Sequence, residues 1–384
     1  MYCVIEKNQI IRMCRFSVLV ILVFSTIGAD NCKTEYNVAF DPAKVSEVGV
    51  FPVSIATGKF NDDEFPDIAT ANFGSDNVTV IMGNGDGTFG APDAYPVGTD
   101  PMSILASDFN KDGISDFATS NRGSQNASVL LSNGSGGYNR QDYAAPDSYL
   151  QQISTGDLDE DGNKDLIIGN NSSPSLVAFY GKPDGTFGAR VNIVVGSPQT
   201  DVKLADINGD GHVDILTTDN SSDKIGVLIG DGKGNFNASL IDHDDINPDS
   251  LVIGYFNNDK KPDLAIANSN KNYISLFFGN GDGTFAAPLK VTTQGGGSPT
   301  GLSFGRVNDD KRDDLVLINS PQNNLSVLIR KGRGEFLKPQ VVGSRPSQDL
   351  ALEDLNGDNK LDLVTAIGGP TDNTITVYLQ KKVD

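Results

Sequence analysis

The stretch Asp157-Leu158-Asp159-Glu160-Asp161-Gly162-Asn163-Lys164-Asp165 puts aspartates at positions 1, 3, 5 and 9 of a nine-residue loop. Four carboxylates that close repel one another unless a cation sits among them. Oxygen-only ligands at this density suit a hard ion, and Ca²⁺ tolerates the irregular geometry of a short loop. Gly162, at position 6, permits the sharp turn with φ > 0 that aims the carbonyl of Asn163, at position 7, back at the ion.

A helix–loop–helix calcium site begins the same way but needs a Glu at position 12. Position 12 here is Ile168, and Leu166-Ile167-Ile168 reads as a buried strand. The loop therefore belongs inside a β-hairpin. It also recurs. Position 1 falls at Lys59, Asp108, Asp157, Asp206, Tyr255, Arg306 and Asp354, at spacings of 49, 49, 49, 49, 51 and 48 residues. A fixed period of this size means a propeller or a solenoid.

The seven copies are not equivalent. The predicted Ca²⁺ ligands are Asp108, Asn110, Asp112, Asp116 and the Ile114 carbonyl in copy 2, and Asp157, Asp159, Asp161, Asp165 and the Asn163 carbonyl in copy 3. Copy 4 contributes Asp206, Asn208, Asp210, Asp214 and the His212 carbonyl, and copy 7 Asp354, Asn356, Asp358, Asp362 and the Lys360 carbonyl. These four have Gly or Asn at position 6, whereas copies 1, 5 and 6 carry Glu64, Lys260 and Lys311 there. First ligand and turn residue are lost together, as expected if neither is needed in an empty loop. About four ions are expected, with copy 3 the tightest site. The alternative is that all seven loops are polar turns that use Asp and Asn for turn chemistry alone. Asp67, Asp263 and Asp314 persist at position 9 even in the copies expected to be empty, which points to a structural role for that residue.

Each repeat supplies four short strands. A half-apolar strand leads into the loop and a second leaves it. A strongly apolar third follows, as at Leu176–Tyr180, and a Gly-rich turn with an aromatic, such as Gly83-Asn84-Gly85-Asp86-Gly87-Thr88-Phe89, opens the fourth. No helical period occurs. The arithmetic is that of an all-β, seven-bladed β-propeller of four-stranded blades. The blades run over roughly 52–98, 101–147, 150–196, 199–246, 248–296, 299–344 and 347–380. The last lacks a fourth strand. The segment Tyr36–Pro42, within 34–44, has the pattern of Phe285–Pro288 and is expected to complete it, closing the ring.

The loop D-x-D-x-D-G-x-x-D, the Gly-Asp-Gly-Thr-Phe turns and the literal Phe89-Gly90-Ala91-Pro92 resemble FG-GAP (VCBS-type) repeats, a family that includes the propeller of integrin α subunits. The resemblance covers roughly 36–384 and implies a calcium-binding propeller used for extracellular recognition or adhesion. It stops at the propeller, so no leg domain and no stable membrane span is expected in the mature chain.

The remaining signals bound the function. Lys7, Arg12 and Arg15, the apolar run Phe16–Ala29 and the small pair Gly28-Ala29 read as a secretory signal peptide over 1–29 rather than a 14-residue membrane anchor. Cleavage would leave Cys32 as the one cysteine of the mature protein, over 30–384. The net charge of −20 disfavours nucleic acid as a partner. Only two histidines occur: His212 sits in a loop, and His243 lies in the acidic turn Asp242-His243-Asp244-Asp245. No hydrolase motif is present, so no catalysis is expected. The absence of Trp leaves sugar stacking to tyrosines, which makes a carbohydrate-binding propeller the alternative and a polysaccharide-active enzyme a weaker one. Eight Asn-x-Ser/Thr sequons include Asn77, Asn126 and Asn324 at one place in the repeat. The links between blades vary most, so an extracellular protein or glycan ligand is expected on their face. Tyr95, Tyr143, Tyr149, His243 and Arg345 are its candidate contacts.

Overall fold

A computed structural model describes residues 38–42, 44–133, 137–242, 247–293, 297–308, 310–320 and 322–381. The described residues form strands, turns and connecting segments, with no helix among them. The expectations for 1–29, Cys32 and His243 lie outside them.

Blade 3 shows why the repeat folds as it does. Its strands are Leu150–Gly156, Asp165–Asn170, Ser175–Phe179 and Val191–Val194, paired antiparallel in that order. Asp165–Asn170 is buried at every residue, as a strand flanked on both faces must be. Val191–Val194 buries only Ile193 and exposes its other residues at the rim. Seven such four-stranded sheets occur, and their first strands contact one another in a closed ring, so these strands line the axis.

Between neighbouring blades lies a separate apolar cluster, seven in all. The one between blades 2 and 3 joins Phe109, Leu131, Leu166, Ile168, Phe179 and Phe187. Position 2 of each loop feeds these clusters: Phe60, Phe109, Leu158, Ile207, Phe256, Val307 and Leu355 are all buried. Deleting one of them, as in Leu158→Ala, would cost about 2–5 kcal/mol by the usual cavity arithmetic. The loop is thus bolted into the core beside the place where its acidic residues gather.

The ring closes through the N-terminal segment, with one shift from expectation. The strand that completes blade 7 is Lys44–Glu47, paired with Thr374–Tyr378, and not Tyr36–Pro42 itself. Ala39–Phe40 instead forms a short ribbon with Gln380–Lys381. That ribbon takes the place of the bridge Gly83↔Phe89 at the Gly-rich turn of blade 1. The Phe-x-Pro pattern therefore marks the turn before the fourth strand, and the strand follows a few residues later.

Candidate metal loops and the axial channel

In each loop three side chains hold the backbone. The position-3 oxygen accepts the position-5 N–H, from Asn61 Oδ1 in copy 1 to Asn356 Oδ1 in copy 7. The position-5 carboxylate accepts the position-7 N–H in all seven, for example Asp161 from Asn163 at 2.8 Å and Asp310 from Arg312 at 2.9 Å. The position-9 Asp ties the hairpin to the blade. Asp165 accepts from Leu158 N–H and Gly181 N–H, both at 2.7 Å, and Asp67 does the same with Phe60 and Gly83 at 2.8 Å. A side chain could not replace the glycine at 181, since its Cβ would lie 2.1 Å from the Lys164 carbonyl. Burial, against these hydrogen bonds, pushes Asp116, Asp165 and Asp362 up to about 6 and Asp314 up to about 7.

The copies differ at position 1. Asp108, Asp206 and Asp354 spend both carboxylate oxygens on the N–H groups of positions 5 and 6. Asp157 differs: one oxygen accepts from Gly162 at 2.9 Å, and Oδ1 is buried without a partner. Oxygens of Asp157, Asp159 and Asp165 lie within 4.8 Å of one another, and no other three-carboxylate cluster of this kind occurs among the described residues. Burial and the neighbouring Asp161 raise the Asp159 pKa. A buried oxygen with no donor beside two further carboxylates fits a hard cation, and Ca²⁺ held by Asp157, Asp159, Asp165 and the Asn163 carbonyl would neutralise this charge.

Position 6 keeps its turn in six of the seven copies. Lys260 and Lys311 adopt φ of 66° and 64°, as Gly113, Gly162, Gly211 and Asn359 also adopt positive φ. The turn therefore survives without glycine in copies 5 and 6, at a cost of about 1–2 kcal/mol each. Only copy 1, with Glu64, lacks it. The position-6 backbone conformation therefore does not separate the two groups of loops, although the residue type does.

Adjacent loops also touch. Lys111 Nζ donates to Asn163 Oδ1 at 3.0 Å, and His212 Nδ1 meets Glu160 Oε1 at 2.5 Å. That contact raises the His212 pKa. Position 4 of one loop thus reaches position 7 of the next.

The first strands enclose an axial cavity of about 620 Å³. One layer of it is built from Ser54, Ser103, Gln152, Asp201, Ser250, Gly301 and Asp349, one from each blade. Several pass a hydrogen bond to the next blade: Asp349 accepts from Ile55 N–H and Asp201 from Leu251 N–H, both at 2.9 Å. Lys203 pairs with Asp201 at 2.8 Å. Burial, with Asp201 nearby, pushes Asp249 up to about 6, and burial raises Asp349.

The expected ligand contacts on the linker face are dispersed. Tyr95 stacks edge-on against Tyr138 at 5.0 Å between blades 1 and 2. Tyr143 packs on Phe179 and Phe187, and its hydroxyl accepts the Phe187 N–H. Both rings are half-buried and serve the packing between blades. Arg345 is exposed and donates to Thr376. Tyr149 alone stands at the channel mouth, 44% exposed. Its ring carries the Arg122 guanidinium at 4.8 Å, and the Phe73 ring meets the same guanidinium at 5.0 Å.

The FG-GAP-like repeat model matches residues 59–119, 108–168, 157–217, 206–266, 255–317 and 306–365, each window starting at one loop and running through the next. This chain belongs to the FG-GAP-like repeat family. No curated protein matches it. Among solved structures it is similar to BBS1N crystallised in complex with ARL6DN and soaked with lead. The identity is 13% and the TM-score 0.64, over 90% of this chain and 98% of that one. It is also similar to an Agrocybe aegerita lectin described as recognising non-reducing terminal N-acetylglucosamine. There the identity is 17% and the TM-score 0.56, over 77% and 81%. A protein from Lactobacillus plantarum gives 15% identity and a TM-score of 0.57, over 76% and 85%. At these identities the likeness concerns the fold.

Two features of this FG-GAP propeller escaped sequence reasoning. A buried Asn ends the second strand in most blades and pins the following turn. Asn72 donates to Asn77 at 2.8 Å and Thr79 at 2.9 Å, and Asn319 to Asn324 and Ser326. Its spacing of 49 residues from 72 to 121 to 170 was the available signal. Asn170 is fully buried, so this sequon has no accessible side chain. The second feature is the cluster at the channel mouth, Phe51, Phe73 and Arg122, which breaks the repeat and so carried no periodic signal.

Proposed function

We propose that this FG-GAP-like propeller is a secreted, calcium-loaded recognition module, adhesive rather than catalytic, that presents its linker face and channel mouth to an extracellular ligand. One observation carries the reading. The repeated polar residues of the loop face are committed to holding their own hairpins, whereas the channel mouth departs from the repeat and exposes an aromatic ring beside a cation. Exposed residues that scaffold packing does not explain are the ordinary mark of a binding surface. The absence of a helix long and apolar enough to cross a membrane, among the described residues, agrees with a module that does not span one by helices.

Three measurements test the parts. N-terminal sequencing of secreted protein should find Asp30 first. Metal analysis should find about four Ca²⁺ per chain, with the last to leave held by Asp157, Asp159 and Asp165; six or seven ions would contradict the assignment by position 1. A glycan array and a panel of purified matrix proteins should give a ligand whose binding falls on Tyr149→Ala and survives substitutions in the Gly-rich turns. The reverse result would place the working surface on the loop face. A glycan ligand is the favoured outcome within this reading, because the exposed Tyr149 ring suits a sugar face and a lectin is among the structural neighbours.

A further inference from the structure

We infer that the channel mouth binds an acidic sugar, with Arg122 receiving its carboxylate. This rests on the recognition reading above and names the ligand class. Arg122 directly follows the second strand of blade 2. The corresponding residues in blades 3 to 7 are Asn171, Asn220, Ser269, Ser320 and Gly368, small or amide side chains. Blade 1 has Phe73 there. The place before the first strand is likewise Phe51 and Tyr149 in blades 1 and 3, against Asp100, Pro198, Asn247, Ser298 and Pro346 elsewhere. Four departures from the repeat thus meet in one sector of the ring, over blades 1 to 3.

The geometry is that of a held cation. The Arg122 guanidinium lies between the Phe73 and Tyr149 rings, at 5.0 and 4.8 Å, and Phe51 packs edge-on against Phe73 at 5.5 Å. Phe51 holds φ at 53°, a conformation that bulky residues rarely adopt. Both rings stack against the guanidinium, which keeps the hydrogen-bonding capacity of its N–H edge. Among the described residues, no carboxylate or carbonyl accepts from that edge, although the chain carries a net charge of −20. A planar fork fixed in this way is prepared for a bidentate carboxylate.

The rest of the cavity selects a sugar over a polyanion. Phe51, Phe73, Arg122 and Gln151 line the same cavity as Asp249, Asp349 and the Asp201–Lys203 pair, whose charges offset each other. The aspartates oppose a second negative charge and accept hydrogen bonds from hydroxyls. A ligand with one carboxylate and several hydroxyls satisfies both ends, and an apolar ring edge completes it against Tyr149.

The test uses isothermal titration of the calcium-loaded chain with galacturonate, neutral galactose and an Asp-containing peptide. Galacturonate should bind saturably and galactose about 10–100-fold more weakly, the range expected for a charge-assisted pair. Arg122→Gln should erase that difference and Arg122→Lys restore only part of it, with the melting temperature of each variant confirming its fold. Equal binding of the charged and neutral sugars would overturn the inference, as would an unaltered difference in Arg122→Gln or no saturable binding of galacturonate. Tighter binding of the peptide would assign the site to protein acids instead. An array ligand lost on Tyr149→Ala but indifferent to Arg122→Gln would overturn this inference and leave the recognition reading standing.

Discussion

The loops of copy 3 and copy 1 fold from the same plan and differ in what they leave over. Both use position 3 to hold position 5, position 5 to hold position 7, and position 9 to hold the blade. In copy 1 the place of the first carboxylate is taken by Lys59, which pairs with Glu64 at 2.6 Å on the surface. In copy 3 the same place leaves a buried carboxylate oxygen without a partner. The hairpin is therefore self-sufficient in hydrogen bonds, and what a cation would add is charge balance. The hydrogen bonds of positions 3, 5 and 9 fold the loop in both copies, and only copy 3 adds a position-1 carboxylate with an oxygen left over for a metal.

The position-9 aspartate gives the largest test of that division. Asp67→Ala and Asp165→Ala each strand two backbone N–H groups, and each should destabilise the protein by about 3 kcal/mol. The two losses should be similar in the presence of a chelator. A loss confined to the calcium-loaded protein would tie position 9 to the metal and not to the hairpin.

Calcium itself should matter in copy 3 and not in copy 1. Saturating Ca²⁺ at about 100 times its Kd should raise stability by about 2.7 kcal/mol per site. Asp157→Asn should remove most of the tightest contribution, read as the shift in melting temperature on adding a chelator. An unchanged melting curve on chelation would refute a structural ion.

The pH response should change sign with the metal. In metal-free protein Asp116, Asp165 and Asp362 titrate near 6 and Asp314 near 7 because burial disfavours their charge, against 3.8 for the free side chain. A raised folded pKa favours the folded state fully below 3.8, and the advantage is lost as pH rises through 6 to 7. Chelated protein should therefore gain stability from pH 7.5 to pH 5 in denaturant titrations. Calcium-loaded protein should lose it over the same window, since protons compete for the ligands. The smallest effect belongs to copy 1: Lys59→Met should cost no more than about 0.5 kcal/mol, as an exposed pair does, and should leave calcium dependence unchanged.

The sequence disclosed what recurs and hid what does not. Seven loops at a near-constant spacing were enough for the blades, because each blade must solve the same packing problem with its position-2 apolar residue and position-9 Asp. The closing strand was misplaced by a few residues because Phe40-Asp41-Pro42 copies the turn, and the strand Lys44–Glu47 has little apolar signal of its own. Lys260 and Lys311 concealed a turn that glycine would have announced. Tyr95 and Tyr143 looked like surface aromatics because they lie near variable links, yet their rings fill the gaps between blades. Phe51, Phe73, Arg122 and Tyr149 come together across three blades and share no period, so only the folded ring brings them into one place.

The seam in blade 7 has a mechanical meaning. Ala39 lies opposite Lys381, and the Lys44–Glu47 pairs follow behind them. A pull that separates residues 38 and 381 meets these pairs one after another, like a zipper, beginning with the Asp41–Lys381 contact at 2.6 Å. The strands of blades 1 to 6 have no such loose end and would be loaded together. Tension across the ends should open the ring at this one place and leave an arc of intact blades, so the module would yield at low force without unfolding the sector that holds Arg122.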